Sequence, residues 1–214
     1  MNKIYFIIAF CIVVAYSFSG CGKKSEPQHQ WSVQDSIRIT NELFSYREAA
    51  EAFFRNHPQS PFNQDSTAHY TGIKWYPPDL RFCFSSKLFK YYQAEHVTIL
   101  GTRGEERNYI KYGYFTIQFN GEDNKLVVYK EIGEGGNHLS IWFTDETTGK
   151  ETYGVGRYVD LEEEHADPSY VYTIDFNKAY NPYCAYSARY SCAVPRKEDH
   201  LPFAVTVGEK KYHE

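Results

Sequence analysis

Two stretches of the chain concentrate residues able to do chemistry. One runs from Phe143 and Asp145 through Gly149, Glu151, Gly154 and Gly156 to Arg157 and Tyr158. The other runs from Asp175 through Asn177, Tyr180 and Asn181 to Cys184 and Cys192, with Glu209 near the tail. Arg157 offers a planar fork of donors suited to a carboxylate or phosphate. Gly154 and Gly156, just before it, would let a ligand or another strand approach closely. Asp175 and Asn177 alternate at the end of an expected strand, so both are expected on one face and Phe176 on the other. Tyr180-Asn181-Pro182 reads as a turn in which the amide bonds its own backbone. Arg157, Tyr158, Asp175, Asn177, Tyr180, Asn181 and Glu209 are therefore the candidate ligand site, a polar pocket with Arg157 on an anionic group. The competing expectation pairs Arg157 internally with Asp175 or Glu209, so that the corner merely fixes one sheet register.

Other groups carry weaker signals. His138 is a candidate acid or base, but no serine elbow or paired metal-binding histidine motif accompanies it. Residues 145–151 lack the alternating ligands of an EF-hand and read as a β-turn. Of five cysteines, Cys11 and Cys21 belong to the N-terminal segment. In an oxidising compartment Cys184 and Cys192 are expected to close a disulfide, with Cys83 a small buried hydrophobe. A zinc site from Cys184, Cys192 and His200 does not fit, because successive spacings of eight are unlike the short paired spacings of structural zinc. No metal or cofactor is expected.

These residues need a frame. Ile39, Leu43, Tyr46, Ala50, Phe53 and Phe54 recur at helical spacing, with Glu42, Arg47, Glu48 and Glu51 on the other face. That helix should stop at Asn56-His57-Pro58. Beyond it, segments rich in aromatic and β-branched residues (81–88, 96–100, 109–119, 125–132, 138–143, 157–161, 170–176 and 203–207) alternate with turn-forming residues. Short strands without intervening helices predict a mainly β fold, an antiparallel β-sandwich or partly open barrel with an N-terminal amphipathic helix.

The N-terminus reads as an export signal. Lys3 precedes an apolar run from Ile4 to Tyr16, followed by small residues at Ser17, Ser19 and Gly20. The run is short of the ~20 residues that span a bilayer. Phe18-Ser19-Gly20-Cys21 resembles a lipobox, with Phe18 where Leu is usual, so Cys21 is the expected lipidation site; plain cleavage after Ser19 is the alternative. The chain divides into a signal peptide (1–20), a lipid-anchored tether (21–35) lacking apolar periodicity, and one β-rich domain (36–214). The expected location is the cell envelope, on an outer-membrane or periplasmic face, with secreted or periplasmic protein as the alternative.

The formal net charge is −4 and no basic cluster interleaves with aromatics, which excludes nucleic acid as a partner class. The 20 tyrosines suit a half-buried β framework, and tyrosine-lined clefts also suit sugars and other polar ligands.

The run Gly156-Arg157-Tyr158, followed by Asp175-Phe176-Asn177-x-Ala179-Tyr180-Asn181-Pro182-x-Cys184 and by Gly208-Glu209-Lys210, resembles an uncharacterised bacterial family, domain of unknown function 1684. The likeness covers about residues 46–212 and implies a shared fold and a shared site, with no known reaction. It departs at Cys192-Ala193-Val194-Pro195-Arg196-Lys197-Glu198-Asp199, where the family pattern is Cys-Pro-x-Pro-Pro-x-Glu-Asn; a role for a rigid proline corner or an Asn there does not carry over.

The combined expectation is a membrane-anchored lipoprotein whose partners are the membrane and a small polar or anionic ligand. One alternative is a hydrolase using Asp175, Glu209 or His138. Another is a structural envelope lipoprotein with no ligand.

Overall fold

The computed structural model describes residues 31–132 and 138–213; the signal, Cys21 and most of the tether lie outside it. Helix α1 (Val33–Asn56) begins where the Ser32 hydroxyl accepts the Asp35 N–H at 3.0 Å, and ends where the His57 N–H returns to the Phe53 carbonyl just before Pro58. Val33, Gln34 and Asp35, assigned to the tether from composition, form its first turn. Ile39, Leu43 and Phe54 are buried along one side. No helix among the described residues is long and apolar enough to cross a membrane. A one-turn helix, α2 (Pro61–Gln64), follows.

The rest is mainly β. Five antiparallel strands, β2 (Phe89–Leu100), β3 (Glu106–Phe119), β4 (Glu122–Glu131), β5 (Leu139–Phe143) and β6 (Arg157–Asp160), form an open sheet in chain order. Strands β1 (Cys83–Lys87) and β7 (Val171–Asp175) form a second antiparallel sheet. The sandwich half of the expectation therefore holds, and there is no closed barrel. Asn120 and Gly121 join β3 to β4, both at positive φ (53° and 82°), as a two-residue hairpin requires.

Alternation gives the large sheet two faces. Phe115, Ile117, Leu126, Val128, Leu139, Ile141, Phe143 and Val159 point toward the small sheet and pack with Phe84, Ile174 and Phe176. Tyr109, Val127, Tyr129 and Trp142 point the other way, with Tyr158 against them. The strand expected at residues 203–207 is not formed, and the segment joins neither sheet; its Phe203 carbonyl accepts the Glu146 N–H at 3.4 Å. The carbonyls of Val205 and Val207 are taken by an arginine side chain, described next.

Candidate functional site

Arg157 and Tyr158 are adjacent in β6, so their side chains leave the sheet on opposite faces. Arg157 enters the core and is 1% exposed. Its Nη2 donates to Asp145 Oδ2 at 3.0 Å and to the Val205 carbonyl at 2.7 Å. Its Nη1 donates to the carbonyls of Val207 and of Glu209, the latter at 3.1 Å. The guanidinium lies over the Phe143 ring, and its buried Nε has no hydrogen-bond partner. Burial pulls its pKa down, and the Asp145 carboxylate opposes that pull. The arginine thus acts as a neighbouring strand for the 205–209 segment, and its partner is neither Asp175 nor the Glu209 carboxylate. The Gly156 that precedes it, at φ 118°, accommodates the Phe143 carbonyl, which an added Cβ would meet at 2.6 Å. It is the neighbouring strand, of the two occupants expected, that makes the close approach.

Asp175 and Asn177 do meet. Asp175 Oδ1 accepts from the Asn177 backbone at 2.9 Å and from its amide at 2.8 Å. Asn177 also clasps the Asp79 backbone, accepting its N–H at 2.7 Å and donating to its carbonyl at 2.9 Å. Both side chains are buried, and burial raises the Asp175 carboxyl; its Oδ2 lacks a partner. Asn181 and Glu209 form a further pair. The Asn181 N–H and the Tyr186 hydroxyl both donate to Glu209 Oε2. Full burial pushes the Glu209 carboxyl up to about 7. The expected single corner is therefore three separate buried arrangements, around Arg157, Asn177 and Glu209.

Tyr158, Tyr180 and Glu209 line an open cleft of about 560 Å³ between α1, the outward face of the large sheet and the 182–193 loop. Tyr158 and Tyr180 are joined by reciprocal backbone hydrogen bonds of 2.9 and 3.0 Å, which seal the β6 edge and set the two rings edge to face. Helix α1 contributes Tyr46 and Phe53, and the loop contributes Tyr183 and Tyr190. Trp142 lies beneath, stacked on Tyr129 at 4.4 Å.

Two charged groups are accessible there. Asp160, two residues beyond Tyr158 and on the same face, accepts the Tyr180 hydroxyl at 2.8 Å and pairs with His138 Nε2 at 2.8 Å. That pairing raises the histidine's pKa. Arg107, from β3, is held by Glu105 and by the Ser191 carbonyl. Asp160, Arg107, Tyr46, Tyr183 and Tyr190 were not singled out from sequence. The signal for Asp160 was its position two residues from Tyr158, whereas the others come together through tertiary packing alone.

Cys83, Cys184 and Cys192 are free thiols. Cys192 lines the cleft, and its sulfur accepts the Cys184 N–H at 3.2 Å. Among the described residues no group of three or more His, Cys, Asp or Glu side chains is arranged to hold a metal. The turn expected at residues 145–151 is present. Asp145 Oδ1 accepts the Thr147 N–H at 2.7 Å, and Gly149 sits at φ 79°.

No curated protein matches this chain. A solved structure does: the solution NMR structure of an uncharacterised protein from Haloarcula marismortui. It is 28% identical, with a TM-score of 0.64, over 83% of this chain and 96% of the other. A family model matches residues 68–210, which span β1 to β7, the polar arrangements and most of the cleft. On that match the chain belongs to the family described as protein of unknown function (DUF1684).

Proposed function

We propose that this protein is a small-molecule binding module held at the cell envelope by a lipid on Cys21. The observation that carries the binding reading is the aromatic cleft. Its volume, about 560 Å³, lies within the ~300–1,000 Å³ of small-molecule sites, and it combines apolar walls with a few polar groups. The anchoring reading rests on the sequence: the signal at 1–20, the Phe18-Ser19-Gly20-Cys21 lipobox and the polar residues that follow. A tether of this length spans about 20 Å, enough to lift the cleft off the headgroups. The ligand site moves from the Arg157 corner to the opposite face of β6, because Arg157 has no accessible donor to offer.

The test is thermal stability of the purified protein against a panel of organic ions, sugars, nucleotides and organic acids. A ligand at a hundred times its dissociation constant adds about 2.7 kcal/mol. The expected result is a compound that stabilises the wild type and fails to stabilise Tyr183→Ala. A panel without such a compound sinks the binding reading. Metabolic labelling with an alkyne fatty acid tests the anchor, since Cys21→Ser should abolish incorporation.

A second reading, acid–base catalysis, has one observation in its favour. The exposed Asp160 and the buried Glu209, whose carboxyl is pushed up to about 7, line one cleft in unlike environments. Turnover of a bound compound that Glu209→Gln removes while binding persists would establish it.

A further inference from the structure

We infer that the cleft takes a small organic cation, an ammonium centre jacketed in alkyl groups; this rests on the binding reading above and names its ligand class. Three independent features point the same way.

The first is what the rings present. Tyr46, Phe53, Tyr158, Tyr180, Tyr183 and Tyr190 all line the cleft and are all partly exposed. Three of the hydroxyls are already spent within the protein. Tyr46 donates to the Lys178 carbonyl at 3.1 Å, Tyr158 to the Ala193 carbonyl, and Tyr180 to Asp160. These three side chains therefore offer ring surface more than hydrogen bonds. A sugar needs a ring of free donors and acceptors for its hydroxyls, and such a wall supplies few. An alkylammonium needs π faces, whose quadrupoles are negative.

The second is the balance of charge. Asp160 is a carboxylate with a side chain 44% exposed. Both of its hydrogen bonds fall on Oδ1, which leaves Oδ2 without a partner among the described residues. Arg107, the one lysine or arginine among the lining residues, already gives Nε and Nη2 to Glu105 at 3.0 and 2.9 Å. It also donates to the Ser191 carbonyl at 2.7 Å. Asp160 shares Oδ1 with His138 and Tyr180 and keeps its second oxygen open, Arg107 is matched by Glu105, and Glu209 adds a buried carboxyl to the wall, so the open polar atom at the cleft is a carboxylate oxygen.

The third is the exclusion of the opposite class. The arginine fork that would hold an anion, Arg157, is committed to Asp145 and three carbonyls inside the core. An anion in the cleft would meet Asp160 and the faces of the rings, both of the wrong sign, and the one cation it could reach, Arg107, is already paired with Glu105.

The experiment is titration calorimetry on the purified full-length protein with four probes. These are choline, its neutral carbon isostere 3,3-dimethylbutan-1-ol, glucose and benzoate. Choline should bind at least tenfold tighter than the isostere. Asp160→Asn, which keeps an acceptor for Tyr180, should erase most of that gap, and Tyr183→Leu, which keeps apolar volume, should weaken choline several-fold. Unchanged melting temperatures confirm that both variants fold. Equal binding of choline and its isostere overturns the cation inference, and so does binding of glucose or benzoate without choline; either leaves the binding reading standing. Silence from all four probes overturns the cation inference. The binding reading itself falls only if the wider panel of organic ions, sugars, nucleotides and acids is silent as well.

Discussion

Arg157 and Asp145 meet at 3.0 Å with both side chains 1% exposed, which joins β6 to the turn that begins at Asp145 and, through the arginine's other bonds, to the carbonyls of Val205, Val207 and Glu209. Removing one partner of such a pair strands a charge in the core and costs about 3–5 kcal/mol. Arg157→Ala should lose stability in that range by urea unfolding. The Arg157→Ala/Asp145→Ala double variant should lose less than the sum of the single losses, because the second change removes the stranded charge. A single-variant loss below about 1 kcal/mol would mean that the pair does not hold the fold.

How far sequence alone reached is clearest at β6. The strand, its flanking glycines and the importance of Arg157 and Tyr158 were all legible, because alternation and turn chemistry are local signals. The same alternation dictates that the two side chains part company, so the single pocket that their chemistry suggests is split between the two faces of β6. Asp145 reads as a turn residue and is one, but its second oxygen reaches a partner twelve residues on, and nothing in the local sequence marks that. Residues 203–207 looked like a strand because their composition is that of one, and a guanidinium took the place of the neighbouring strand. The cleft itself was not legible. Tyr46, Arg107 and Tyr190 come from a helix, a strand and a loop far apart in the chain, and their convergence is a property of packing.

Glu209 supplies a pH signature. Its folded pKa, about 7, is raised from the ordinary 4.5, so the stability it contributes is fully present below pH 4.5 and lost as pH rises through 7. Tyr186, Asn181 and Arg157 favour the charged form, and Glu51 opposes it. Glu209→Gln should match the wild type in acid and gain on it across that window, by on the order of 3 kcal/mol. Asp199, raised from 3.8 to about 6, gives both proteins a slope of the same sign and cancels in the difference. A flat difference curve from pH 4 to 8 would show that Glu209 stays ionised throughout.

Gly154 and Gly156 make a controlled pair. At Gly156 the φ of 118° disfavours any side chain, and a Cβ would lie 2.6 Å from the Phe143 carbonyl and 2.9 Å from Pro195. At Gly154 the nearest atom is 3.8 Å away. Gly156→Ala should cost about 2–3 kcal/mol, combining strain and overpacking. Gly154→Ala should stay within about 1 kcal/mol of the wild type, with a gain the favoured sign. Equal melting temperatures for the two variants would mean that the β6 entry relaxes around the added methyl.

Cys184 and Cys192 test the compartment together with the fold. Donation from the Cys192 thiol holds Cys184 below the usual thiol range, and the Tyr153 hydroxyl adds a contact at 3.6 Å. A more acidic thiol beside a second one is primed for oxidation, whereas burial pushes the Cys83 thiol well up and keeps it inert. In an oxidising envelope the pair should lose two protons and two electrons to the local oxidant and close its short loop. That closure should add about 2.5 kcal/mol. Protein isolated without reductant should then be two hydrogens lighter by intact mass. Cys184 should resist alkylation until reduced, and Cys192→Ser should melt lower than the oxidised wild type. Because Cys192 lines the cleft, the closed loop should also hold Tyr190 and Ser191 in place for a ligand, so reduction should weaken binding as well as stability. Free alkylation of Cys184 in protein isolated from its native host without reductant would place these thiols in a reducing environment and count against export.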